Sequence, residues 1–169
     1  MEDAAAQDQQ TRATTVGAAL DSVGREPVIV AADASIPAIA VAAAARPDVH
    51  VICVVDAAGK LAGLIRLDAL CDALFFHVVP EEFLPDIFDP EKLGEFGRYS
   101  RARTAADLME DPESVRAEDG VVVAFRRMHE RGLEGLPVLD GDGRPVAYID
   151  RLRLLSVWVT THPRASGPT

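Results

Sequence analysis

The chain repeats itself, and that constrains its fold more than any other feature. Residues 51–65, Val51-Ile52-Cys53-Val54-Val55-Asp56-Ala57-Ala58-Gly59-Lys60-Leu61-Ala62-Gly63-Leu64-Ile65, align without a gap at an offset of 84 with residues 135–149, Gly135-Leu136-Pro137-Val138-Leu139-Asp140-Gly141-Asp142-Gly143-Arg144-Pro145-Val146-Ala147-Tyr148-Ile149. Each copy is an apolar run, a turn closed by glycine and a second apolar run, the pattern of a β-hairpin. Gly59 and Gly143 match, and glycine takes positive φ without steric cost, as a tight turn requires.

The correspondence extends outward. Leu67, Leu70, Cys71 and Leu74 follow the first hairpin with helical spacing, as Leu152, Leu155, Trp158 and Val159 follow the second. Ahead of the hairpins, Ile36, Ile39, Ala40 and Ala43 match Val121, Ala124, Phe125 and Met128, again three and four apart. Ser35 and Pro37 start the first of these helices, with Pro47 beyond its end. Asp119 is the candidate cap of the second and Gly132 its stop. Val28-Ile29-Val30 and Glu113-Ser114-Val115 read as short strands before them. Thr15-Val16-Gly17-Ala18-Ala19-Leu20 and Thr104-Ala105-Ala106-Asp107-Leu108-Met109 read as lead-in helices. The expected organisation is a mobile N-terminal tail, 1–14; a first unit, 15–74; a joint, 75–103; a second unit, 104–159; and a mobile C-terminal tail, 160–169. A unit of about sixty residues has little core of its own, so two packed together are the expectation.

Order and duplication together resemble a tandem pair of CBS domains, the regulatory module named after cystathionine β-synthase. Asp107-Leu108-Met109, Ser114-Val115, Ala124-Phe125-Arg126-Arg127-Met128 and the Leu136-Pro137-Val138 hairpin carry the resemblance; the first copy is degenerate and alanine-rich. The resemblance implies an α/β (α+β) fold of two pseudo-symmetric β-α-β-β-α units packed sheet to sheet, which often stack into a homodimer. It also implies adenosyl ligands, an adenine nucleotide or S-adenosylmethionine, in clefts between the sheets. No cofactor is required. Family members hold the ribose through a Gly-h-h-Ser/Thr-x-x-Asp pattern, since a carboxylate accepts from both ribose hydroxyls. Here Arg66 stands at the hydroxyl position of copy one, with Ala69 at the Asp position and Asp68 beside it. In copy two Asp150 and Arg153 take the two places. The candidate ligand-binding residues are Val30, Arg66, Asp68, Met109, Val115, Leu136, Pro137, Asp150 and Arg153. Two readings stay open: Arg66 and Arg153 hold a phosphate at a cleft mouth, or they pair with Asp68, Asp150 or surface acids.

The joint holds Phe75, Phe76, Phe83, Phe88 and Phe96, five of the six phenylalanines. A flexible linker would not carry so many aromatics, so it is expected to pack on the domain pair or to dock a protein partner through Phe83 and Phe88. A surplus of 27 acidic over 17 basic residues, net −10, argues against nucleic acid. No apolar stretch suits a bilayer. The acidic start is not a signal peptide, and Cys53 and Cys71 read as reduced, buried thiols of a cytoplasmic protein. Gly59-Lys60-Leu61 is not a phosphate-binding loop, and Arg144-Pro145 breaks the calcium-like Asp140-Gly141-Asp142-Gly143. His77, Glu81 and Glu82 lack a second nearby histidine for a metal site. With no nucleophile, base and oxyanion arrangement, the expectation is a non-enzyme.

Overall fold

The computed structural model describes residues 2–20, 25–76, 78–79, 81–83 and 93–163. The chain divides into two compact units, Val28–Pro112 and Met1–Pro27 with Glu113–Thr169.

In the 28–112 unit, β1 (Val28–Ala31), α3 (Ile36–Ala44), β2 (Val51–Val55), β3 (Leu61–Arg66) and α4 (Leu67–Phe75) follow one another. β1 pairs parallel with β2, which the crossover helix α3 permits, and β2 pairs antiparallel with β3. Val51, Ile52, Cys53 and Val54 are all buried, as a central strand covered on both faces requires. Ile36, Ile39 and Ala43 of α3 and Ala69, Leu70 and Ala73 of α4 pack the same core. Ser35 caps α3 by accepting from the Ala38 N–H, with Pro37 in the first turn, as its sequence indicates. In the hairpin turn Asp56 accepts from the N–H groups of Ala58 and Lys60, and Gly59 sits at φ 77°.

The other unit repeats this order: β4 (Val115–Arg116), α7 (Val121–Arg131), β5 (Gly135–Leu139), β6 (Pro145–Asp150) and α8 (Arg151–Thr161). Its sheet has the same pairings, and its bulge between Val138 and Leu139 falls 84 residues after the one between Val54 and Val55. Gly132 ends α7 at φ 61°, as expected. Two local readings change. The strand is Val115–Arg116 rather than 113–115, because Glu113 turns its carboxylate to Arg127 and Arg131. The cap of α7 is Gly120, because the Asp119 carboxylate accepts instead from the Arg116 N–H.

The lead-in helices fall on the far side of the division from their own hairpins. α2 (Val16–Leu20) buries Val16 and Ala19 in the unit containing β4–β6, and α6 (Ala105–Leu108) buries Ala105 and Leu108 in the unit containing β1–β3. A capping box holds α6: Asp107 accepts from Arg103 and Thr104, and these hydrogen bonds hold its carboxyl below the usual range. The joint contributes a 3-10 turn, Glu81–Phe83, and α5 (Leu93–Arg101), where Tyr99 stacks on Phe76 at 6.3 Å. Phe88 and His77 lie outside the described residues, as does the side chain of Phe96.

Two further expectations are corrected. The stretch read as a mobile tail, 1–14, forms α1 (Glu2–Ala13), which lies beside α7 and α8 and meets the end of α8 through Thr11–Thr161 and Asp8–His162, contacts that a hydrophobic pattern does not announce. Cys71 is exposed on α4 because its position falls on the outward side of that helix; only Cys53 is buried, and burial pushes its thiol up to about 12.

Gly135 is required by packing. A Cβ there would overlap the Tyr148 hydroxyl and ring, and Tyr148 is fully buried. Gly135→Ala is therefore expected to cost about 1–3 kcal/mol, read as a lower urea midpoint. Gly141→Ala, where a Cβ meets nothing within 4 Å, is expected to change it by under about 0.5 kcal/mol.

Candidate functional site

In the 28–112 unit Arg66 and Asp68 sit at the end of β3, Met109 lies over the middle of that strand and Val30 is on β1, beyond β2. Arg66 is the last residue of β3 and the N-cap of α4. Its guanidinium forks onto Asp68, Nε to Oδ1 at 3.2 Å and Nη2 to Oδ2 at 2.7 Å. This bond does most to raise the Arg66 pKa, with the charge of Asp68 and then Glu110 adding to it against the opposing effect of burial. The side chains are 36% and 63% exposed, so the pair contributes at most about 1 kcal/mol. Met109 follows α6 and lies over Gly63, where a Cβ would come within 2.7 Å of its sulfur. Val30 is a buried residue of β1.

Sequence reasoning missed what fixes Met109. Arg98 of α5 donates to the carbonyls of Asp107, Leu108 and Met109, at 3.2, 3.1 and 2.6 Å. One guanidinium thus collects the orphan carbonyls at the end of a short helix. The next residue, Glu110, exchanges two backbone hydrogen bonds with Leu64, at 3.1 and 2.7 Å, and so closes the open edge of β3.

In the other unit, Val115, Leu136 and Pro137 are buried strand residues. Asp150 ends β6 and caps α8, accepting from the Arg153 N–H at 2.8 Å. Its second oxygen takes the guanidinium of Arg25 at 2.5 Å, with the side chains only 7% and 24% exposed. Arg25 also accepts the Tyr148 N–H at 2.9 Å through its carbonyl, closing the edge of β6 as Glu110 closes that of β3. Arg66 and Asp150 occupy the same register position, opposite Val51 and Gly135. The two units therefore carry the same edge closure with reversed charge: Arg66 near Glu110 in one, Asp150 with Arg25 in the other. Of the two sequence readings, side-chain pairing describes Arg66 with Asp68, while the partner of Asp150 is the unanticipated Arg25.

The side of α8 bearing Leu152, Leu155, Trp158 and Val159 is exposed, and α8 buries none of its residues. With Val122 and Phe125 of α7 it borders an apolar groove of about 420 Å3. Among the described residues no group of three or more His, Cys, Asp or Glu is placed to hold a metal. Nor, among them, is any helix long and apolar enough to cross a membrane.

Residues 105–159 match the family described as CBS domain. This part of the chain is a CBS domain. The whole has the fold of a CBS-domain pair. It is similar to a CBS domain-containing protein from Thermotoga maritima, at 22% identity over 85% of this chain and 92% of that one, with a TM-score of 0.66. It is also similar to the CBS-domain pair of protein MJ0100, solved with 5-methylthioadenosine and S-adenosyl-L-methionine (18% identity, 86% and 99% of the chains, TM-score 0.61). A third is CBSX2, solved with AMP (19% identity, 88% and 98%, TM-score 0.59). At these identities the likeness establishes the fold. No curated protein matches in sequence. The CBS match begins at Ala105, inside the lead-in segment that folds with the 28–112 unit.

Removing Arg25 leaves the CBS domain's Asp150 carboxylate buried without its guanidinium. Arg25→Ala is expected to destabilise the protein by about 2 kcal/mol, measured by urea unfolding. In an Asp150→Ala background the same substitution is expected to cost much less, the double-mutant cycle isolating the pair.

Proposed function

We propose that this CBS pair is a non-catalytic cytoplasmic regulatory module that senses an adenosyl or other small anionic ligand and passes the change to a partner protein. The observation that carries the reading is the Arg66 guanidinium, part-exposed at the end of β3 and hydrogen-bonded to a solvent-accessible carboxylate. A phosphate oxygen pair fits the same guanidinium fork, and exchanging it for Asp68 forfeits at most about 1 kcal/mol. Solved CBS pairs of this fold carry S-adenosyl-L-methionine and AMP, which supports an adenosyl ligand. Arg98 supports transmission. It ties the Met109 carbonyl to α5, so a ligand that moves Met109 bears on the joint. Such a ligand shifts the protein only by its differential affinity for two arrangements.

Isothermal titration of AMP, ADP, ATP and S-adenosylmethionine tests the reading. Micromolar binding of at least one is expected, weakened about tenfold or more in Arg66→Ala. Absence of heat with all four, from a folded protein, overturns the adenosyl reading. It then favours a scaffold that docks a protein through the joint, where Phe75, Val78 and Phe83 are exposed.

The module is read as a homodimer. The exposed apolar side of α8 with its groove supports this, since contiguous apolar surface of this kind marks an association face. Light scattering after gel filtration is expected to give twice the 18.1 kDa chain mass, and Leu155→Asp with Trp158→Asp is expected to give the monomer.

A further inference from the structure

The caps at the two ends of α8, Asp150 and His162, are both buried ionisable residues. Asp150 meets Arg25 and the Arg153 N–H. His162 meets the N-terminal helix. Its ring stacks on the indole of Trp158, with centroids 4.3 Å apart and planes 12° from parallel. Its side chain is 11% exposed, so protein groups supply most of its surroundings.

Both ring nitrogens face acceptors. Nδ1 lies 2.9 Å from the Trp158 carbonyl oxygen, which can only accept, and this assigns a proton to Nδ1. The Thr161 hydroxyl, 3.1 Å from Nδ1, has the Val157 and Trp158 carbonyls for its own proton. The proton that comes and goes is therefore the one on Nε2. Nε2 lies 3.4 Å from Oδ1 of Asp8, on α1. In the imidazolium, Nε2–H donates to that carboxylate; in the neutral ring, a lone pair faces it. The indole face attracts a cation, and so does the carbonyl end of α8. Burial acts against the charge.

The other charged groups on the neighbouring helices are engaged elsewhere. The short helix α2 carries none. On α7, Arg126 pairs with Glu130, Arg127 and Arg131 pair with Glu113, and His129 stacks on Phe125. On α8, Arg151 reaches Glu134 and two carbonyls. Arg153 of α8 and Glu2, Asp3 and Arg12 of α1 make no bond to His162. Among the described residues, Asp8 is thus the charged group that the His162 ring meets.

We propose that His162 is a proton-dependent latch for the N-terminal helix. Protonated, it holds α1 against the end of α8 through Asp8. Neutral, it gives up that ion pair, and the Thr11–Thr161 hydroxyl contact remains. Asp8 is 59% exposed, so the pair is weak enough to be made and broken in solution. Thr11 and Trp158 also border the apolar groove, so the docking of α1 sets part of its wall. The latch rests neither on a ligand at Arg66 nor on a dimer.

The test is exchange protection of the α1 amides in the full chain, corrected for the intrinsic pH dependence of exchange. An isolated helix of 12 residues is marginal in water, so its amides exchange once it leaves α8. The ring-proton shifts of His162 are followed in the same samples. Between about pH 5.5 and about pH 8, where histidine ordinarily changes charge, protection is expected to fall about fivefold. Its midpoint is expected to coincide with the titration of His162. In Asp8→Asn and in His162→Gln the fall is expected to vanish. Asp8 lies on the surface, so Asp8→Asn keeps the test intact even where His162→Gln disturbs the end of α8. Protection that stays level while His162 titrates overturns the proposal. So does a fall that persists undiminished in Asp8→Asn.

Discussion

The rest of the structure depends on closing two sheet edges. A three-stranded sheet leaves the outer strand of its hairpin with unpaired backbone groups, and such an edge invites pairing with another chain. Glu110 closes the edge of β3 by exchanging backbone hydrogen bonds with Leu64, and Arg25 closes that of β6 by accepting the Tyr148 N–H. Both residues lie in the stretch between a lead-in helix and the next strand. Once that stretch is laid along the other hairpin, its lead-in helix must pack there too, which is why α2 and α6 fall across the division from their own repeats. The repeat in the sequence and the compact unit in space therefore differ by one lead-in segment. Neither sixty-residue repeat has to supply its whole core alone.

Much of this was legible. The offset of 84 residues locates both hairpins, and Asp56, Gly59, Asp140 and Gly143 occupy their turns as that alignment requires. Ser35 and Gly132 act where helix-end chemistry places them. The candidate site was legible only in part. Its positions follow from the repeat, but side-chain partners do not follow from local spacing. Arg66 reaches an acid two residues away, so its pairing could be anticipated; Arg25 reaches one 125 residues away, and no periodicity connects them. The lead-ins also align at a different offset from the hairpins. Thr15 corresponds to Thr104, 89 residues on, whereas Arg25 and Glu110 are 85 apart. That change of register concealed the charge reversal. The N-terminal helix escaped for a different reason. Its packing rests on Thr11 and Asp8, polar residues whose sequence signature is that of a solvated segment.

The charge reversal makes the two halves chemically unequal although their backbones repeat. At the end of β6 the acid is buried, caps a helix and carries a guanidinium, so removing any member exposes a desolvated charge. At the end of β3 the cation is half-exposed, and its principal partner is a surface carboxylate. The first arrangement is stabilising and costly to disturb. The second is weak and readily exchanged. A duplicated fold can thus place opposite charges at one register position without changing strand order, and at that position the degenerate, alanine-rich copy carries the more accessible charge.

Asp150 uses one oxygen for the Arg153 backbone N–H and the other for the side chain of Arg25. The helix start is therefore secured through the backbone of Arg153, while its side chain lines a pocket beside α1. The cap rests on the Asp150 carboxylate, and Arg25 holds the oxygen that the cap leaves over. Arg25 is therefore the substitution at this helix start that should move an unfolding midpoint.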